Sequence, residues 1–218
     1  MSAPLEPYGS RPTVYTGTSG APFLFHRFCM TDIPALRRQI KQQRQALSAE
    51  QRDIANHAIF ERVISLPQYR NAQHIAGYIG TRGEIDALPI LEHAYSLGKQ
   101  CYLPVLHPFF KGRLWFAPWS PNTCMTRNRF NILEPLYKPS TCIKAQHLNI
   151  VLTPLLAFDD QGHRLGMGGG FYDRSFNFRL FRKKFFGPEL IGLAHHFQRV
   201  DALDVKPWDV SLDSVIHF

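Results

Sequence analysis

Short apolar runs alternate with amphipathic helical stretches along this chain, and the alternation restricts its fold more than any other feature. His74 to Ile79, Gln100 to Leu106, Leu114 to Ala117, Leu148 to Phe158, Leu190 to Ala194 and Ser214 to Phe218 read as strands. Helices are predicted from about Pro34 to Leu47, from Ser48 to Leu66, from Asp86 to Leu97 and from about Phe171 to Lys184. The second opens on a capping-box pattern, Ser48 with Gln51, and its apolar residues Ile54, Ala55, Ala58, Ile59, Val63 and Leu66 keep the helical period until Pro67 stops it. Asp86 is the expected N-cap of the third and Gly98 its C-terminal stop. Pro154 interrupts the longest apolar run, so that run must bend or split. Strand, helix and strand in succession predict an α/β fold, an open and mostly parallel sheet flanked by helices.

The chain's 218 residues can bury a core without a disulfide or metal staple. Residues 1–29 are breaker-rich and aperiodic, which reads as a flexible tail, and residues 30–218 as a single domain beginning at Met30. No run approaches the roughly 18 apolar residues of a membrane span, and no secretory signal is recognisable. Cys29, Cys101, Cys124 and Cys142 form neither a C-x-x-C pair nor a zinc pattern, which fits a reducing cytoplasm. The histidines show no H-E-x-x-H spacing. A net charge of +8 points toward anionic partners: nucleic acid, an acidic membrane surface, or small phosphates and carboxylates.

Three segments carry candidate chemistry. The first runs from Phe158 to Arg174, between an apolar strand and a helix, and has four glycines within Gly166-Met167-Gly168-Gly169-Gly170. Backbone freed of side chains can turn its amides toward a ligand, a pattern suited to phosphate. The Walker A lysine is missing, and Phe171 stands where a dinucleotide fingerprint needs glycine. A plain surface loop is the competing reading. Arg164, Asp173 and Arg174 bracket the glycines; arginine neutralises phosphoryl oxygens and a carboxylate beside them is a natural magnesium ligand. Asp159 and Asp160 are candidates for turn formation around Gly162, Asp160 above all, while Tyr172 either stacks on a flat ligand or fills core. The second segment, Gly80 to Asp86, puts Glu84 at the carboxyl end of a strand; an exposed loop glutamate is the plainer reading. The third is the basic first helix, where Arg37, Lys41 and Arg44 lie near one face, a solvated surface being the ordinary explanation. Arg179, Arg182, Lys183 and Lys184 suit the C-terminal end of their helix.

The run Phe158-Asp159…Gly162-His163-Arg164-Leu165-Gly166-Met167-Gly168-Gly169-Gly170-Phe171-Tyr172-Asp173-Arg174 resembles the signature of the 5-formyltetrahydrofolate cyclo-ligases, or methenyltetrahydrofolate synthetases. Arg44-Gln45-Ala46-Leu47-Ser48, Gly83-Glu84-Ile85-Asp86, Tyr102-Leu103-Pro104-Val105 and Ile132-Leu133-Glu134-Pro135 agree with it in order. The resemblance implies a sheet of the sugar-phosphate isomerase type. It also implies an enzyme that uses MgATP to convert 5-formyltetrahydrofolate to 5,10-methenyltetrahydrofolate, with ADP and phosphate released through a phosphorylated formyl (imidate) intermediate. Carried over by position, Arg37 and the segment Arg164, Leu165, Gly166, Met167, Gly168, Gly169, Gly170, Phe171 and Tyr172 hold ATP, with Arg164 and Tyr172 nearest the chemistry. Ile79, Glu84 and Met167 to Phe171 contact the folate; Asp173 and Asp209 coordinate magnesium. Two departures stand out. The family's helix lysine is replaced by Ile33, which makes Arg38 or Lys41 the candidate substitute for its ATP contact, and Phe171 replaces a frequent tyrosine. The expected partners are reduced folate and ATP, with no nucleic acid or membrane, and a monomer in the cytoplasm. The rivals are a basic nucleic-acid-binding protein, which lacks a recognisable module, and an isomerase relative that does not use ATP.

Overall fold

The structure is a computed structural model that describes residues 32–181 and 187–218. Helices α1 (Ile33–Ala46), α2 (Ala49–Ser65) and α3 (Pro67–Asn71) lead into strand β1 (His74–Ala76). Then follow α4 (Leu88–Ser96), β2 (Gln100–Leu106), β3 (Leu114–Trp119) and a small hairpin, β4 (Met125–Arg127) with β5 (Leu133–Pro135). The chain continues through β6 (Ile150–Pro154), β7 (Ala157–Phe158), β8 (Arg164–Leu165), α5 (Phe171–Phe176), α6 (Phe178–Phe181), β9 (Glu189–Ala194) and β10 (Ser214–His217).

The expected α/β architecture is present: six strands in the order β10-β9-β6-β1-β2-β3, all parallel to their neighbours except the antiparallel edge strand β3. Alternation along the strands supplies two cores, one on each face. Ile75, Leu103, Leu152 and Ile191 pack with Ile59 and Val63 of α2 and Leu91 of α4. Ala76, Tyr102, Val151 and Leu190 face the other way, toward Phe116, Phe176 and Leu212. Ser48 and Gln51 close the capping box, Ser48 Oγ accepting the Gln51 N–H at 3.1 Å and Gln51 Oε1 accepting the Ser48 N–H at 2.8 Å.

Several boundaries differ from expectation, each for a local reason. Pro67 does not merely stop α2; it occupies the first turn of α3, where its missing N–H costs nothing. Asp86 lies one residue ahead of the N-cap of α4, Ala87, and its Oδ1 takes the N–H groups of Gly80 (3.0 Å) and Leu88 (3.2 Å), so it closes the loop after β1. The run 148–158 splits at Pro154, and β7 leaves the main sheet to pair with β8. The helix expected from Phe171 breaks at Asn177, and Arg182, Lys183 and Lys184 lie outside the described residues, as do Cys29 and residues 1–31. Cys101, Cys124 and Cys142 are free thiols.

Order in the main sheet decides where a ligand goes. From β1 the chain moves outward through β2 to β3, then returns to the other side of β1 and moves outward again through β6, β9 and β10. The carboxyl ends of β1 and β6 therefore flank a topological switch point, where adjacent loops diverge and leave a crevice.

Candidate active site

A crevice of about 940 Å³ occupies that switch point. Tyr78, Ile79, Thr81 and Glu84 enter from the loop after β1, Pro154 and Leu155 from the end of β6, and Leu203 to Asp209 from the segment after β9. The glycine segment lines it from Arg164 to Arg174, and the β4–β5 hairpin adds Asn128, Phe130, Ile132, Leu133 and Glu134.

Two of the glycines are conformational necessities: Gly168 and Gly170 have φ of +95° and +61°. No described residue accepts the N–H groups of Gly168, Gly169 or Gly170. The loop is held from outside. Arg37 reaches across from α1, its Nε donating to the Gly166 carbonyl at 3.2 Å. Arg164, whose side chain is 6% exposed, pairs with Asp173 Oδ1 at 2.7 Å and also donates to the Val210 carbonyl. The same Oδ1 accepts the Val210 N–H at 3.2 Å, which brings the preceding residue, Asp209, into the same corner of the crevice. Asp209 Oδ2 accepts the Lys206 N–H at 2.8 Å. Asp173 Oδ2 and Asp209 Oδ1 thus keep open lone pairs, and a magnesium ion needs only one or two carboxylates beside phosphate oxygens and water. Carboxylates are the donor type such an ion takes; no group of three or more potential metal ligands occurs among the described residues.

Glu84 is an anchored carboxylate rather than a mobile loop side chain. Its Oε1 accepts from Arg44 Nη1 at 2.9 Å, and its Oε2 from the Thr81 N–H and hydroxyl, both at 3.2 Å. Its loop turns at Gly83, φ +76°, so close to α1 that a Cβ there would stand 2.4 Å from the Arg44 carbonyl oxygen. His195 supports the turn from below, its ring Nε2 lying 2.9 Å from the Gly83 carbonyl oxygen. Burial holds the His195 pKa below its ordinary 6.5, aided by nearby Arg44 and opposed by the Gly83 hydrogen bond. Neutral His195 therefore donates its Nε2–H to that carbonyl.

Two phenols border the crevice. Burial pushes Tyr172 up, Arg164 opposing and Glu84 adding to the effect. Tyr78 is raised for the same first reason, with Glu84, Tyr172 and Asp86 adding and Arg44 opposing. Both remain protonated near neutrality and offer an O–H rather than a base. Tyr172 also stacks on Phe176, ring centroids 6.2 Å apart.

Most of the sequence-derived site residues meet here: Arg37, Ile79, Glu84, Arg164 to Asp173 and Asp209 all line the crevice. Arg38 and Lys41 are not among the residues that line it; on α1, Arg38 is rotated by about 100° from Arg37, and Lys41 follows Arg37 by about one turn. Ile33 itself lines the crevice one turn from Arg37. The basic face expected for α1 is divided, since Arg44 is turned inward to Glu84; Arg179 of α6, expected to complement its helix's C-terminal end, pairs with Asp213 at 2.5 Å. Asp159, not Asp160, organises the turn at Gly162: it accepts the N–H groups of Gln161, His163 and Leu203, while Asp160 points out to Arg199. Lys206, Tyr78 and the hairpin residues Asn128 and Phe130 were not singled out in the sequence; Ile132 to Pro135 of the hairpin entered there only as a piece of the family resemblance, with no role in the site.

Fold and site together define an α/β protein with a crevice at the sheet's switch point, lined by the glycine segment with its arginines and by the β4–β5 hairpin. The family model for 5-formyltetrahydrofolate cyclo-ligases matches residues 30–217. A 5-formyltetrahydrofolate cyclo-ligase of Escherichia coli K12 is 37% identical over 177 residues, 81% of this chain and 95% of that protein. One from Haemophilus influenzae is 38% identical over 181 residues, 83% and 95% of the two chains. Among solved structures, the 5,10-methenyltetrahydrofolate synthetase of Aquifex aeolicus superposes with a TM-score of 0.69 at 26% identity, covering 84% of this chain and 88% of that one. This chain belongs to the 5-formyltetrahydrofolate cyclo-ligase family.

Proposed function

We propose that the protein is an ATP-dependent ligase that converts 5-formyltetrahydrofolate to 5,10-methenyltetrahydrofolate, releasing ADP and phosphate. The observation that carries the reading is the shared crevice: unclaimed amides of the glycine loop and the clamped carboxylate of Glu84 face one cavity at the switch point. Arg37, Arg164 and the backbone of residues 165–172 bind ATP. Ile79, Glu84 and residues 167–171 receive the folate, Glu84 accepting N–H groups of the pterin and Phe171 supplying an apolar face. The formyl oxygen attacks the γ-phosphorus; an O–P bond forms as the bond to ADP breaks. The second folate nitrogen then attacks the formyl carbon, loses its proton as the ring closes, and inorganic phosphate departs with the former formyl oxygen.

No side-chain nucleophile is needed, because phosphoryl transfer depends chiefly on alignment and charge neutralisation. Arg164, with its carboxylate partner behind it, presents a fixed cation at the reacting phosphate, and Tyr172 donates its O–H there. Asp173 and Asp209 would hold Mg2+, which when bound neutralises phosphate charge. We assign the enzyme as a monomer and residues 30–218 as its catalytic domain. Among the described residues no helix is long and apolar enough to cross a membrane; we place the enzyme in the cytoplasm, with its ATP supply. Mixing the protein with MgATP and 5-formyltetrahydrofolate is expected to generate the near-ultraviolet absorbance of the methenyl product. Folded protein that gives no signal and releases no ADP refutes the assignment.

A further inference from the structure

Arg174 belongs to the crevice wall, yet its guanidinium is occupied with backbone. Its Nε donates to the Gly112 carbonyl at 2.9 Å, and its Nη2 to the Gly169 carbonyl. Gly112 lies in the turn joining β2 to β3 and does not itself line the crevice. That turn has φ +79° at Gly112, and a Cβ there would stand 2.4 Å from Arg174 Nε. A second tie runs alongside: Ser175 Oγ accepts the Leu114 N–H at 2.8 Å and donates to the Phe171 carbonyl at 2.7 Å.

In a trans peptide the carbonyl and the following N–H point in opposite directions. Holding the Gly169 oxygen to Arg174 therefore fixes the Gly170 N–H the other way. Glycine has no Cβ to oppose rotation of this peptide, so without the guanidinium the carbonyl is free to turn into the site and meet phosphate with a like partial charge. We infer that Arg174 is a positioning residue: it sets the polarity of the nucleotide loop, and the β2–β3 turn at Gly112 supports it from outside the crevice. The inference rests on the ATP-binding role given to that loop above.

The test compares Arg174→Ala, Arg174→Lys, Gly112→Ala and the Gly112→Ala/Arg174→Ala double variant, with ATP affinity measured by titration and with steady-state KM for both substrates. Loss of a charge-assisted hydrogen bond predicts an ATP KM raised about tenfold in Arg174→Ala. The folate KM should rise several-fold less than the ATP KM: Glu84 and Ile79 are held by other contacts, and the folate side loses only the Arg174 guanidinium over the Phe171 ring. Arg174→Lys, which cannot hold both carbonyls, should recover only part of the loss. Gly112→Ala should raise the ATP KM in the same direction, and should add nothing once Arg174 is already alanine. An unchanged ATP KM in folded Arg174→Ala overturns the inference, as do additive effects of the two substitutions or equal losses for both substrates. A parent protein that fails to bind ATP at all overturns the functional reading instead.

Discussion

Removing the carboxylate of Glu84 tests the site and its foundations together. Arg44 is 1% exposed; among the described residues its charge is met by Glu84 alone, at 2.9 Å, and its Nε has no partner. Glu84→Ala leaves that guanidinium buried and unpaired, a change worth about 3–5 kcal/mol. For a chain of this size each kcal/mol moves the melting temperature by about 2–4 °C, so a fall of roughly 6–20 °C is expected. Glu84→Gln should lose less, since its amide oxygen still accepts from Thr81. Circular-dichroism melts of the three proteins measure this directly. Activity of Glu84→Gln, assayed well below its melting point, isolates the second role: the folate KM should rise by about 1.5–3 kcal/mol, roughly 10- to 150-fold, with little change in the KM for ATP. A melting temperature of Glu84→Ala within about 2 °C of the parent would show that Arg44 needs no counter-charge, and an unmoved folate KM would remove Glu84 from the binding site.

Asp173→Asn should lower turnover at limiting Mg2+ by about a hundredfold or more while raising the magnesium requirement, as expected when a carboxylate ligand becomes a neutral one; a magnesium dependence like that of the parent assigns Asp173 to structure alone. Stability should decline on acidification. His195, lowered from 6.5, is kept neutral by the fold, so its contribution is complete above pH 6.5 and is lost as pH falls below it. Asp159 is lowered from 3.8; burial opposes its ionisation, but hydrogen bonds from the His163 side chain and from the N–H groups of Leu203, His163 and Gln161 outweigh it. Its contribution disappears as pH drops below 3.8 through that lowered value; urea titrations that give a flat or rising stability from pH 8 to 4 contradict the His195 assignment, and a flat or rising stability below pH 4 contradicts that of Asp159. A chain starting at Met30 should retain the activity and melting temperature of the full chain, and a large loss of either would assign a role to residues 1–29.

Local rules in the sequence determined the element types: the Ser48–Gln51 capping box, the stop at Gly98, the break at Pro154 and the strand–helix alternation all depend on neighbours within a few positions. The glycine segment was legible for the same reason, since its ligand-facing backbone is a contiguous stretch. Tertiary structure alone decided which charges are spent inside the molecule. Arg44 and Glu84 are 40 residues apart, Arg37 and Gly166 are 129 apart, and Gly112 meets Arg174 across 62. A side chain's direction on a helix is set by rotation about its axis, but its partner is set by strand order. Only the return of β6 to the side of β1 opposite β2 brought the glycine loop, the Glu84 turn and α1 to one crevice.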